Sequence, residues 1–272
     1  MHPFVSHVLI ALGSTFGFVL ALALLMTVAP RRVQDAIARA PLLDVAVALM
    51  TWVPWVVCGV WLGWAGLLGS VLGGPPALMA WSFVHEQMNR EALRGPRIVK
   101  FVNRTVGRWQ NHLALWVTAI ALPVFWGIRI AEIFVYPLLP LLLDFPKYKQ
   151  SEWINVTRQK FGGLVGHDLI WCLYCDWMTG VYSLGAEMLR NVESFWCPIR
   201  YYDGKKCDHC KVEFPDIENG WVRADGTMAD VEAVMEKEYG DGRREWFGHP
   251  ARLTVRGREI EAQSGPSPSG GG

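Results

Sequence analysis

The first 145 residues are dominated by three long apolar stretches that are nearly free of charge. Residues 4–29 contain no Asp, Glu, Lys or Arg, and about 20 apolar residues in a helix cross the hydrocarbon core of a bilayer. This stretch predicts a membrane-crossing helix. It is longer than the apolar core of a signal peptide and follows no basic residue, so we interpret it as a retained helix.

The second stretch, residues 45–84, is uncharged over 40 positions, which is twice the length of one crossing. A turn inside it is predicted by its many glycines and by the pair Pro75-Pro76, because proline stops a helix. A break at 73–74 would leave a second piece too short to cross alone. We therefore place the turn at 63–69, with a re-entrant second piece as the alternative.

The third stretch, residues 112–143, is interrupted by three prolines and by the charged residues Arg129 and Glu132. It is either one kinked crossing or a shallow hairpin. The two charged residues are three positions apart, which places them on one helical face and predicts a neutralised pair. Ionisable residues at membrane depth are also candidate functional residues.

Basic residues in the connecting segments predict the orientation, because Lys and Arg are enriched in cytoplasmic loops. The first two loops and the segment after the third stretch are all basic. This pattern requires an even number of crossings between the two loops, and it favours a re-entrant third stretch and a cytoplasmic C-terminal region. We thus expect about four membrane segments in a bacterial-type inner membrane. The basic residues are Arg31, Arg32 and Arg39, then Arg90, Arg94, Arg97, Lys100, Arg104 and Arg108, then Lys147, Lys149, Arg158 and Lys160.

Charge density divides the chain into two parts. Residues 1–145 hold 16 charged side chains and residues 146–272 hold 35, and the second density is ordinary for a soluble domain. We predict a transmembrane helical domain over 1–145, a cytoplasmic cysteine-rich domain over 146–263, and a disordered Ser/Pro/Gly tail over 264–272. Strand-like alternation at 199–202 and 252–260, with a Thr227-capped helix, predicts an α+β fold for the cysteine-rich domain.

Composition argues against one class of binding partner and in favour of another. A net charge of +1 argues against a nucleic-acid-binding protein. Eight of the 14 tryptophans lie in the first 145 residues, several near the ends of the predicted spans, where indole rings favour the membrane interface. The lipid bilayer is therefore the predicted environment of this half of the chain.

Five of the six cysteines fall within 39 residues, whereas Cys58 lies in an apolar stretch and reads as a small buried residue. Two C-x2-C pairs are the usual way to present thiolates to one tetrahedral metal ion. We predict a Zn²⁺ site in the C-terminal domain, with Cys197 and His209 as substitute ligands. The four primary ligands are Cys172, Cys175, Cys207 and Cys210.

Three alternatives to zinc stay open: an iron or iron–sulfur centre on the same thiolates, a thiol–disulfide pair, and cysteines that hold no metal. Covalent c-type haem is excluded, since neither C-x2-C pair is followed by histidine. As a helix, residues 166–180 would place Asp168 on the same side as Cys172 and Cys175, as an acidic group beside the metal.

No hydrolase, P-loop, dinucleotide or zinc-protease motif occurs in the sequence, so no reaction is assigned. We expect a scaffold, accessory subunit or assembly factor of a membrane complex, with other proteins as partners. The alternative is a membrane-anchored electron-transfer or thiol-redox protein.

Overall fold

The computed structural model describes residues 2–200 and 220–242, together with the backbone of 254–255 and 258–259. The described part is 79% helical. Its helices are α1 Pro3–Val28, α2 Arg31–Ile37, α3 Leu42–Met50, α4 Trp52–Met88, α5 Arg90–Arg94, α6 Ile98–Val106, α7 Arg108–Ala119, α8 Leu122–Ile130, α9 Leu138–Leu143, α10 Gln150–Trp153, α11 Gly166–Trp196 and α12 Met228–Tyr239.

The predicted C-terminal α+β domain is wrong for the part of the chain that the structure describes. Residues 166–196 form one helix of 31 residues. Of the alternating residues 199–202, the structure describes 199 and 200, and Ile199 forms an isolated bridge with Val222. Two-residue strands at Thr254–Val255 and Arg258–Glu259 pair with each other, which is too little for a sheet on which helices could pack. The helical prediction for 227–239 is confirmed, because Thr227 and Asp230 form a capping box at the start of α12.

Contacts divide the chain into two compact units, Met1–Phe125 with Gln150–Val181, and Trp126–Lys149 with Tyr182–Gly272. The boundary between 145 and 146 was drawn from charge density, and it stays a prediction.

Among the residues that the structure describes, three helical segments are long and apolar enough to cross a membrane: Pro3–Val28, Trp52–Met88 and Arg108–Leu143. The expectation of a membrane protein is confirmed at this level of length and composition. The expected number of about four membrane segments is corrected to three candidate crossings. The two numbers differ because α4 contains both arms of the predicted hairpin and counts as one candidate crossing.

A sharp turn at Gly63 divides α4. Its backbone has φ 65° and ψ −154°, inside the predicted 63–69 window, and this left-handed region favours glycine. A side chain at Gly66 would collide with the carbonyl oxygen of Cys58, so the two arms fold back on each other. The first arm, 52–62, is about 16 Å long, roughly half of the hydrocarbon core. It is too short to cross alone.

The second arm of α4 packs directly against the backbone of α1. A Cβ atom at Gly69 or at Gly73 would overlap the carbonyl oxygen of Val8 or of Leu12. Glycines four residues apart let two helices approach closely, which matters in lipid because apolar burial gives little drive for association. The pair Gly69 and Gly73 therefore holds α1 and α4 together.

These contacts show that α1 and the second arm of α4 run parallel. Gly69 packs on Val8, and further along both helices Trp81 Nε1 donates a hydrogen bond to Thr27 Oγ1 at 2.8 Å. The segments that follow Val28 and Met88 consequently start at the same end of the helix pair. This arrangement agrees with the even number of passes that the two basic loops predict.

Replacing Gly73 with alanine tests this packing, and Gly74 supplies the matched control. An added Cβ at Gly73 would lie 2.6 Å from the Leu12 carbonyl oxygen, whereas one at Gly74 meets nothing within 4 Å. Alanine favours a helix over glycine by about 1 kcal/mol. We expect Gly73→Ala to lower the melting temperature in detergent and Gly74→Ala to leave it unchanged or raise it. Equal effects of the two variants would contradict the packing.

Candidate functional site

Cys172 and Cys175 lie one turn apart near the start of α11, and both are half-buried. Residues three apart in a helix are neighbours on its surface. Thr179 Oγ1 donates a hydrogen bond to the Cys175 carbonyl oxygen at 2.8 Å. The predicted helical placement of the pair is confirmed, and it presents two sulfur atoms on one side of α11.

Arg158 is the cation beside these thiols. It begins a short 3₁₀ turn at Arg158–Lys160, and its Nε lies 3.6 Å from Asp176 Oδ1. Burial by itself would lower the pKa of Arg158, but a hydrogen bond with Cys172 and the charges of Asp176 and Cys175 raise it. Arg158 therefore places a positive charge beside the cysteine pair.

Asp176 holds the Arg158 turn in place. Its Oδ2 accepts a hydrogen bond from the Thr157 amide at 2.9 Å and a longer one from the Arg158 amide at 3.4 Å. The carboxylate thus fixes the backbone of the turn and draws the guanidinium toward the cysteine pair.

The other predicted ligands are not part of this arrangement. Cys197 follows the last residue of α11, is exposed, and belongs to the second unit. Cys207, His209 and Cys210 lie outside the described residues. Within residues 2–200 and 220–242, no three His, Cys, Asp or Glu side chains are placed to hold a metal ion. The four-thiolate site stays a prediction, and two of its ligands are described.

Asp168 is not the acidic neighbour of the cysteines that its helical position predicts. Its Oδ2 accepts a hydrogen bond from Arg97 Nε at 2.5 Å, and its Oδ1 accepts one from the Val99 amide at 3.0 Å. Both carboxylate oxygens therefore accept hydrogen bonds from the start of α6. Arg97 also supplies the positive charge that compensates the carboxylate.

Arg97 is the centre of a buried charge cluster that the sequence reasoning missed. Its Nη2 donates hydrogen bonds to Glu86 Oε1 at 2.8 Å and to the Val165 carbonyl oxygen at 3.2 Å. The side chains of Arg97 and Asp168 are each only 4% exposed. From the sequence alone, Arg97 cannot be told apart from the other basic residues of its loop. Glu86 could have indicated the cluster, because a carboxylate directly after an apolar stretch needs a compensating charge.

The same cluster caps the starts of two helices, α6 and α11. At the start of α11, the Gly166 amide donates to His85 Nδ1 at 3.1 Å and the His167 amide donates to Glu86 Oε1 at 3.2 Å. The first amides of a helix have no partner within it, so the end of α4 satisfies them. Gly166 has φ +53°, and a Cβ there would collide with the Glu86 side chain. Glycine is required at this junction.

The charges in the cluster reinforce one another. Burial by itself would raise the pKa of Asp168, but His167, Arg97 and the Val99 amide lower it below the usual value. Burial alone would lower the pKa of Arg97, and its bonds with Asp168 and Glu86 raise it. The pair is therefore fully ionised at neutral pH.

Aromatic rings join α7 to the first turns of α11. The rings of Trp116 and Trp171 meet edge to face with centroids 5.3 Å apart, and those of His112 and His167 do so at 5.1 Å. Trp171 Nε1 also donates a hydrogen bond to His167 Nε2 at 3.2 Å. His167 and Trp171 thus pack the start of α11 against α7.

The second unit contains the predicted ion pair. Arg129 Nη1 donates to Glu132 Oε2 at 2.8 Å, and the two side chains are 0% and 2% exposed. The pair lies where α8 passes into a π-helical turn, Ala131–Val135. The prediction of a neutralised couple is confirmed.

Asn191 of α11 forms hydrogen bonds with the segment that follows this turn. Its Nδ2 donates hydrogen bonds to the hydroxyl groups of Tyr136 and Tyr148, and the Tyr136 hydroxyl donates to the Pro146 carbonyl oxygen at 3.1 Å. This hydrogen-bond network fixes residues 136–148 against α11.

No protein-family model, curated protein or solved structure matches the chain.

Asp168→Asn tests the Arg97 cluster. Removing one partner of a buried ion pair leaves the other charge uncompensated, so we expect a loss of stability on the order of 3 kcal/mol and a lower melting temperature. The control is Asp35→Asn, because Asp35 pairs with Lys160 at an exposed site. A control variant as unstable as Asp168→Asn would contradict the assignment.

The pH dependence supplies an independent check. Because the pKa of Asp168 is lowered in the folded chain, its stabilisation is complete above the unfolded value of about 3.9 and is lost as the pH falls toward the folded value. The stability difference between wild type and Asp168→Asn should be constant from pH 8 to 5 and shrink below pH 4. A difference that grows on acidification would contradict the lowered pKa.

Proposed function

We propose that this chain is an integral membrane protein in which Cys172 and Cys175 supply two thiolate ligands to a zinc ion. Cys207 and Cys210 would complete a tetrahedral site, and the metal would pin the C-terminal region into a docking platform. The observation that carries the proposal is the pair of half-buried thiols on one turn of α11 beside Arg158.

The donor chemistry suits zinc. Zn²⁺ in structural sites prefers four thiolate or imidazole ligands in a tetrahedron, and metal binding requires deprotonated cysteines. Four thiolates around Zn²⁺ leave an excess negative charge. Arg158 offsets part of it in the described region, and Lys205, Lys206 and Lys211 flank the second pair in the sequence.

A scaffold or accessory role in a membrane complex fits the remaining features. The sequence carries no catalytic motif, whereas three candidate spans bring the cysteine helix to a membrane. We place the cysteine pairs on the cytoplasmic side of a bacterial-type inner membrane, where thiols stay reduced. The partners would be other subunits of the complex.

The alternative is a redox centre on the same residues. Half-exposed thiols beside a cation are also typical of reactive cysteines, and iron accepts the same thiolates as zinc. The two functions differ in metal content, colour and thiol state, so one preparation distinguishes them.

Metal analysis of the full purified chain tests the proposal. We expect about one zinc per chain and a colourless protein, with the zinc lost in Cys172→Ser/Cys175→Ser and in Cys207→Ser/Cys210→Ser. Cys58→Ser is the matched control, because Cys58 lies in α4 beside Thr15 and should leave the zinc content unchanged. Visible absorption bands with bound iron, or a metal-free disulfide between Cys172 and Cys175, would overturn the zinc assignment.

Arg158→Gln tests the role of the cation. Without the guanidinium, the thiolates lose a stabilising charge, and we expect zinc to transfer to a competing chelator more readily by severalfold. Lys160→Gln, two residues later in the same turn, is the control. Equal zinc affinity in wild type and Arg158→Gln would contradict the role given to Arg158.

A further inference from the structure

The segment 90–108 lies between two candidate membrane spans. The helix α4 ends at Met88, and the next candidate span begins at Arg108. The nine-residue helix α6 occupies the middle of this segment. With a span on each side within ten residues, α6 is confined to the boundary where hydrocarbon meets water.

One face of α6 is apolar and exposed. Ile98, Phe101 and Val106 are 54%, 62% and 50% exposed, and Trp109 follows at 81%. Positions 98 and 101 lie three apart and share a face of the helix. Burying this face would remove a substantial apolar area from water, and the adjoining spans lead directly into lipid.

The same segment is cationic. Five exposed basic residues occur between positions 90 and 108, against the single acidic residue Glu91. Arg97 does not count among them, since it is buried with Glu86 and Asp168. The exposed basic residues are Arg90, Arg94, Lys100, Arg104 and Arg108.

The helix is held at both ends. At its start the Val99 amide donates to Asp168 Oδ1 at 3.0 Å, and near its end Asn103 Oδ1 accepts a hydrogen bond from Asn111 Nδ2 of α7 at 2.8 Å. The apolar face is therefore presented in a fixed orientation, with little ordering left to be done on binding.

We propose that segment 90–108 is a binding surface for anionic phospholipid. The helix α6 lies in the interface plane with Ile98, Phe101 and Val106 among the acyl chains, as amphipathic interfacial helices do. The exposed guanidinium and ammonium groups bind the phosphates of the headgroups. Charge and apolar area act together, so the surface selects anionic over zwitterionic lipid.

The experiment titrates detergent-solubilised full chain with dioleoylphosphatidylglycerol or dioleoylphosphatidylcholine, and follows lipid retention by native mass spectrometry and the melting temperature. The test variant is Arg94→Gln/Arg104→Gln. The control is Arg31→Gln/Arg32→Gln, which removes the same charge from exposed residues of α2. Equal melting temperatures without added lipid show that each variant is folded.

Phosphatidylglycerol should bind wild type more tightly than phosphatidylcholine does. That affinity should fall about thirtyfold in the test variant, given the contribution of each of the two basic residues near an anionic surface, and stay constant in the control. Phe101→Ser should weaken both lipids. Equal binding of the two lipids, or an equal loss in both arginine variants, would overturn the proposal. So would a wild-type dimer that Phe101→Ser dissociates without any dependence on lipid.

Discussion

The ion cluster around Arg97 is the interaction on which the first unit depends. One buried guanidinium joins Glu86 at the end of α4 to Asp168 in the first turn of α11. The carboxylates in turn satisfy amides at the starts of α6 and α11. Buried charges are costly unless they are paired and hydrogen-bonded. The end of α4 and the starts of α6 and α11 are therefore fixed relative to one another. Cys172 lies one turn beyond Asp168, and its position beside Arg158 follows from that placement.

Close packing of small residues supplies the second constraint. Lipid is as apolar as leucine, so helices inside it associate through shape and hydrogen bonds. Gly69 and Gly73 give α1 and α4 that shape, and the bond from Trp81 to Thr27 closes the far end of the pair. The basic segments after both helices then emerge at one end, and the same end of α4 carries Glu86. The helix packing and the charge cluster therefore reinforce each other.

Local patterns in the sequence predicted what depends on local physics. Apolar length identified the spans, the glycine-rich window contained the turn at Gly63, and the spacing of Arg129 and Glu132 predicted their pairing. Thr227 likewise predicted the start of α12, because capping depends on residues close in the sequence. Tertiary partnerships were missed. Asp168 shares a helix face with the cysteines, yet Arg97, 71 positions earlier, takes its carboxylate. The α+β expectation failed in the described part of the chain because residues 166–196 form one long helix and the described strands are two residues long.

X-ray absorption at the zinc edge of the purified full chain measures the atoms that bind the metal. We expect a single shell of four sulfur atoms at about 2.3 Å, the Zn–S distance of tetrahedral thiolate sites. Replacement of one sulfur by a nitrogen at about 2.0 Å would bring in His209 as the substitute ligand. A shell of oxygen and nitrogen without sulfur, or no bound zinc, would contradict the claim.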